Sequence, residues 1–185
     1  MKRILVHIAN GFEEIETMTI VDVLRRAGLE VILAGTEAGV LTGSHQVRVM
    51  PDARLEEIQD EDFDLLVLPG GQPGVDNLRK NAAVMQIVQQ MSRSKKWIGA
   101  ICAAPLVLRD AGLIAGRRFT SFPALEDEFQ EGQYEQASVA VDGNLVTSRG
   151  PGTAMEFALK LVELVSGKPK AEQLAAALLA PLAVR

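Results

Sequence analysis

The stretch "RILVHIANGFEEIETMTIVDVLRRAGLEVILAG" (Arg3–Gly35) decides the fold. Its first part, Arg3–Ala9, is a short apolar run closed by Asn10-Gly11, the mark of a strand buried on both faces. Glu13–Gly28 follows with Ile15, Met18, Val21 (or Ile20) and Leu24 at helical spacing, and Gly28 stands where a helix C-cap belongs. Leu29–Gly35 is a second apolar strand. Strand, helix and strand within so short a span form a βαβ unit, which requires a parallel sheet.

The same alternation continues. "FDLLVLPGG" (Phe63–Gly71) reads as a buried strand ending in a glycine pair. "NAAVMQIVQQMSRSKK" (Asn81–Lys96) is amphipathic, with Val84, Ile87, Val88 and Met91 inward. "WIGAI" (Trp97–Ile101) is the next strand. The helix after it, in "APLVLRDAGLIAG", tolerates Pro105 only in its first turn and closes at Gly112. Two hairpins are expected, one around Gly43-Ser44 and one at Asp142-Gly143. Helices are expected from Pro151 to Gly167 and over Ala171–Arg185. No repeat, low-complexity segment or linker interrupts the chain. The reading is one α/β domain over residues 1–185: a flavodoxin-like three-layer sandwich with a mostly parallel sheet and a β-hairpin excursion. Such sheets bind ligands beyond the carboxyl ends of their strands, here the loops after Ala9, Leu68 and Ile101.

Composition narrows the function. With 19 basic and 24 acidic residues the net charge is −5, and no basic stripe suggests a nucleic-acid-binding surface. The N-terminal apolar stretch is too short, and too soon followed by "GFEEIE", for a signal peptide. No run is long enough to span a membrane. A single cysteine cannot form an internal disulfide and suits a reducing compartment, so a cytoplasmic location is expected.

That cysteine, Cys102, lies between strand "WIGAI" and a helix, with Gly99, Ala100, Ala103 and Ala104 around it. The pattern is that of a nucleophile elbow, whose sharp turn demands small neighbours. A helix terminus stabilises a thiolate by up to ~2 kcal/mol, enough to bring a thiol to roughly 7. Full ionisation needs a further donor. Glu13, Glu14 and Glu16 open the first helix, where acidic residues complement the dipole. Glu16 is the one expected to reach the sheet edge. A neutral carboxyl there donates to the sulfur, whereas a carboxylate would raise the thiol pKa. Gly70 and Gly71 let the backbone approach a ligand, and the Gly71 and Ala103 N–H groups can form an oxyanion hole. With both devices a thiol pKa of roughly 5–6 is expected. The two histidines, His7 in mid-strand and His45 in the hairpin excursion, are not placed for a Cys-His dyad, which speaks against a protease or amidase.

"EEIET", "VDVLRRAG", "LVLPGG", "AICAAP", "FPALEDEF" and "LVTSRGPGTAMEFAL" occur in this order over essentially the whole chain. In them the sequence resembles the ThiJ/PfpI superfamily, in its parkinsonism-associated deglycase and YajL-like branch. The resemblance implies a homodimer and a reactive, oxidation-prone Cys102 beside a protonated Glu16. It implies backbone donors at Gly71 and Ala103, and an oxyanion or substrate-binding pocket that includes Gly70 and is flanked by Phe122, Arg149 and Pro151. Phe122 replaces a histidine of the parkinsonism-associated protein, as in YajL-like members, and His45 replaces an arginine that reaches across the dimer. The implied activity needs no cofactor and no metal. It is cysteine-dependent conversion of a small dicarbonyl or glycated substrate, of glyoxalase III or deglycase type, protective under oxidative and carbonyl stress. The other implied role is a redox-sensing, chaperone-like stress protein in which oxidation of Cys102 is the signal.

Overall fold

The computed structural model describes residues 1–180 of the chain. Its elements are β1 (Arg3–Ile8), α1 (Glu14–Arg26), β2 (Glu30–Gly35), β3 (Leu41–Thr42), β4 (Arg48–Val49), β5 (Ala53–Arg54), α2 (Leu55–Ile58), β6 (Leu65–Leu68), α3 (Gly74–Lys80), α4 (Ala82–Arg93), β7 (Trp97–Ile101), α5 (Pro105–Asp110), β8 (Arg118–Phe119), β9 (Gln133–Tyr134), β10 (Val139–Asp142), β11 (Leu145–Ser148), α6 (Ala154–Ser166) and α7 (Lys168–Ala177).

Seven strands form the central sheet in the order β10–β11–β7–β6–β1–β2–β5. Only the β10–β11 hairpin is antiparallel; its turn falls at Gly143, and every other pair is parallel. Side chains of β1 alternate between two core layers. Ile4, Val6 and Ile8 pack with α1, α6 and α7. Leu5 and Ala9 pack with α2 to α5. Strands covered on both faces must be apolar throughout, which is why β1, β6 and β7 read as unbroken hydrophobic runs. The excursion is the small β3–β4 pair, as expected.

Two expectations need correction. Ile15 and Met18 do not face the core: they are 58% and 37% exposed. The inward stripe of α1 instead runs through Glu16, Thr17, Ile20, Val21 and Leu24, so a carboxylic acid occupies the turn nearest the sheet edge. The terminal helix starts earlier, at Lys168, and ends at Ala177. Residues 181–185, over which that helix was expected to run on, lie outside the described residues.

The parallel sheet reverses its winding at β1. β2 lies on one side of it and β6, β7 and β11 on the other. The loops after β1 and β6 therefore diverge at their carboxyl ends and leave a crevice between them. Backbone hydrogen bonds tie these loops together: Glu13 N–H to Gly70 O at 2.9 Å and Gly74 N–H to Gly11 O at 3.1 Å.

Candidate active site

Cys102 follows β7 with φ +63°, a left-handed conformation that non-glycine residues seldom adopt. The turn is fixed on both sides. The Cys102 N–H donates to Ser148 O at the end of β11 (3.0 Å), and the Cys102 carbonyl accepts from Phe122 N–H (2.9 Å). Small residues are needed behind it because the sheet packs tightly there. A Cβ at Gly99 would stand 3.0 Å from the Phe157 ring, and Ala103 and Ala104 are buried. The elbow read from the sequence is present.

Glu16 is completely buried in the first turn of α1. Its own N–H is capped by Glu13 Oε2 at 2.7 Å, and its Oε2 accepts the Gly70 N–H at 2.7 Å. Its Oε1 finds no hydrogen-bond partner, and the carboxyl group faces the Cys102 side chain. A Cβ at Gly70 would lie 2.6 Å from Cys102 Cβ and 2.8 Å from Glu16 Oε2, so only glycine fits between the two groups. Gly70 thus holds the acid rather than lining the pocket, where the sequence reading had put it among the substrate-binding residues. Gly71 does line the pocket. Its φ of +94° aims its N–H at the sulfur, and Ala103 supplies the second backbone donor.

The electrostatics differ from expectation in one respect. Burial pushes Glu16 up to about 7, against the pull of the Gly70 N–H. Burial, reinforced by the Glu16 carboxylate, pushes the Cys102 thiol up to about 12, and the Ala103 and Gly71 N–H groups only partly offset this. The thiol near 5–6 expected from sequence is therefore not what the site gives to a cysteine beside an ionised Glu16. Two causes stand out: desolvation exceeds what two N–H groups return, and α5 has six residues, too few for a strong dipole. The first proton lost comes from Glu16, at about 7, and the carboxylate it leaves opposes ionisation of the thiol.

A cavity of about 280 Å³ opens over the sulfur, lined by Gly71, Gln72, Cys102, Ala103, Phe122, Ala124 and Leu125. Among the described residues its walls carry no charged side chain. Phe122 lies on it as expected. Arg149 and Pro151 do not line it: they flank Gly150, which packs behind the Phe122 ring. Sequence reasoning missed Gln72, although it adjoins the glycine pair, and Ala124 and Leu125, which sit in a short 3₁₀ turn with no periodic signature. His7 is fully buried in β1, away from the thiol. His45 is bonded to Glu14, which also accepts from Ser44 and from the His45 N–H.

A model of the DJ-1/PfpI family matches residues 2–164. The chain belongs to the DJ-1/PfpI family. It is 40% identical to Protein dj-1beta of Drosophila melanogaster, over 96% of this chain and 97% of that protein. It is 37% identical to the glutathione-independent glyoxalase DJR-1.2 of Caenorhabditis elegans, over 88% and 87% of the two chains. The crystal structure of Drosophila melanogaster DJ-1beta superposes with a TM-score of 0.95 at 39% identity, covering 97% of this chain and 98% of that one. The mostly parallel sheet flanked by helices is therefore the fold of the DJ-1/PfpI family. No helix among the described residues is long and apolar enough to cross a membrane.

Proposed function

We propose that the protein is a cofactor-independent, Cys102-dependent enzyme acting on small reactive dicarbonyls, of glyoxalase III or deglycase type. The observation that carries this reading is a buried carboxylic acid, Glu16, with one unpartnered oxygen beside a thiol on a left-handed elbow. A relative named as a glutathione-independent glyoxalase supports it, as does a small uncharged cavity over the sulfur.

The steps balance without a cofactor. Sulfur adds to the aldehyde carbon of methylglyoxal, and the oxygen takes the proton, giving a hemithioacetal. The Gly71 and Ala103 N–H groups hold the oxygen while it is negative. Glu16 carries a proton from that carbon to the neighbouring carbonyl carbon through an enediol, leaving a thioester of lactate. Water cleaves the thioester, releasing lactate and restoring the thiol. An acid raised to about 7 is suited to give and take a proton at neutral pH. Replacing Cys102 by Ser and measuring lactate from methylglyoxal tests the scheme. Lactate is expected to fall to background, and unchanged turnover overturns it.

A second reading, redox sensing with chaperone-like action, draws on the same unpartnered Glu16 oxygen. When protonated, it can donate to an oxygen added to the sulfur and stabilise the sulfinate. Mass spectrometry after mild peroxide checks it, and an unmodified Cys102 at doses that oxidise ordinary thiols excludes it. A homodimer is part of the proposal. Ile15, Met18 and Val47 are exposed around Glu14, where α1 meets the β3–β4 hairpin, and a second copy would cover them. A light-scattering mass twice that of one chain is expected.

A further inference from the structure

At the opposite edge of the sheet, the amino end of β7 borders a cavity of about 530 Å³, larger than the one over the thiol. Trp97, the sole tryptophan of the chain, lies half-buried in its wall. Arg93, Lys95 and Arg117 line it, and among the described residues no carboxylate does. Neighbouring Lys2 and Lys96 are neutralised by Asp62 and Asp64. Among the described residues, Arg93, Lys95 and Arg117 have no ion pair. Arg117 is held only by neutral acceptors, the Asp142 carbonyl at 3.2 Å and Asn144 Oδ1 at 3.4 Å. Three uncompensated cations in one cleft run against a chain whose net charge is −5.

The backbone adds an independent observation. Lys95 stands at φ +53° just past α4. Its N–H donates to Ser92 O and the Lys96 N–H reaches back to Met91 O, the bonding pattern of a helix end that ordinarily takes glycine. A lysine in that conformation is strained, so the local fold alone does not select it.

We propose that this cleft binds a nucleoside phosphate, its base stacked on the Trp97 indole and its phosphate held by Arg93, Lys95 and Arg117. The cavity is far larger than an inorganic anion needs. Its combination of an aromatic face with guanidinium forks suits a planar ring joined to a dianion. The site is separate from Cys102 and does not depend on the activity proposed above.

Trp97 fluorescence reports directly on binding. Titration with adenosine monophosphate at low salt is expected to give a saturable change, with adenosine and inorganic phosphate each binding at least roughly tenfold more weakly. Lys95→Gly is the decisive variant, because glycine relieves the backbone while removing a charge. It should fold as well as the parent and bind about tenfold more weakly. Arg117→Gln should weaken binding similarly, and Cys102→Ser should bind as the parent does. Three results would each overturn the proposal: no saturable change up to about 10 mM nucleotide, phosphate alone binding as tightly as nucleotide, or undiminished binding by Lys95→Gly.

Discussion

His7 in the middle of β1 and Glu16 at the carboxyl edge are both fully buried, and burial shifts both toward the neutral form. It pushes the imidazole down to about 4, while the Ala34 carbonyl pulls the other way without meeting hydrogen-bond geometry. It pushes the carboxyl up to about 7. The same force acts on each, so desolvation does not distinguish a working group from a structural one. The surroundings do. His7 is enclosed by the apolar layers of a parallel sheet, with both ring nitrogens unpartnered. Glu16 has a backbone donor on one oxygen, a thiol beside its carboxyl group, and a cavity over that thiol. Reactivity belongs to the edge because strands diverge there and backbone N–H groups are left without ladder partners.

The largest expected effect on this contrast is kinetic. Glu16→Ala should lower methylglyoxal turnover by about 10²–10⁴-fold, the range for loss of a general acid–base group. His7→Leu should leave turnover unchanged. Steady-state kinetics on the two purified variants decides between them, and equal losses would erase the distinction.

The next effect concerns stability against pH. Glu16 binds its proton more tightly folded than unfolded, so its contribution is complete below pH 4.5 and is lost as pH rises to about 7. His7 works in reverse: its contribution is complete above pH 6.5 and is lost as pH falls toward about 4. In the parent the two slopes oppose each other. In Glu16→Gln the opposing Glu16 slope is gone and the His7 slope stays, so stability should rise more steeply with pH across this window. The change relative to the parent should amount to about 3 kcal/mol between its ends. Denaturant unfolding at several pH values measures it, and parallel profiles for parent and variant would contradict it.

The smallest effect is His7→Leu itself. Removing a buried polar group that has no partner should stabilise the protein by about 1–2 kcal/mol near pH 5 and less at pH 8. Thermal melts at both pH values check the sign.

Much of this arrangement is legible in the chain. The apolar runs of β1, β6 and β7 announce a doubly covered sheet, and Cys102 between β7 and α5, ringed by alanine and glycine, announces an elbow. Other parts are not. Ile15 and Met18 satisfy helical spacing as well as Ile20 and Leu24 do, and only packing against α6 decides which face turns inward. Strands of two residues, such as β5, β8 and β9, are made by their neighbours and carry no period of their own. The pocket wall at Ala124 and Leu125 comes from an irregular turn. The balance between burial and hydrogen bonding at sulfur depends on depth, which residue types do not encode.

The pH dependence of Cys102 alkylation by iodoacetamide, compared between the parent and Glu16→Ala, tests the electrostatics of the thiol and its acid most directly. Burial and the Glu16 carboxylate hold the thiol up to about 12, so the parent rate is expected to stay low through neutral pH and to rise only in strongly alkaline solution. Removing the carboxyl takes away the repulsion and moves that rise to lower pH. A parent rate with an inflection near neutral pH, or a profile that Glu16→Ala leaves in place, would contradict the account.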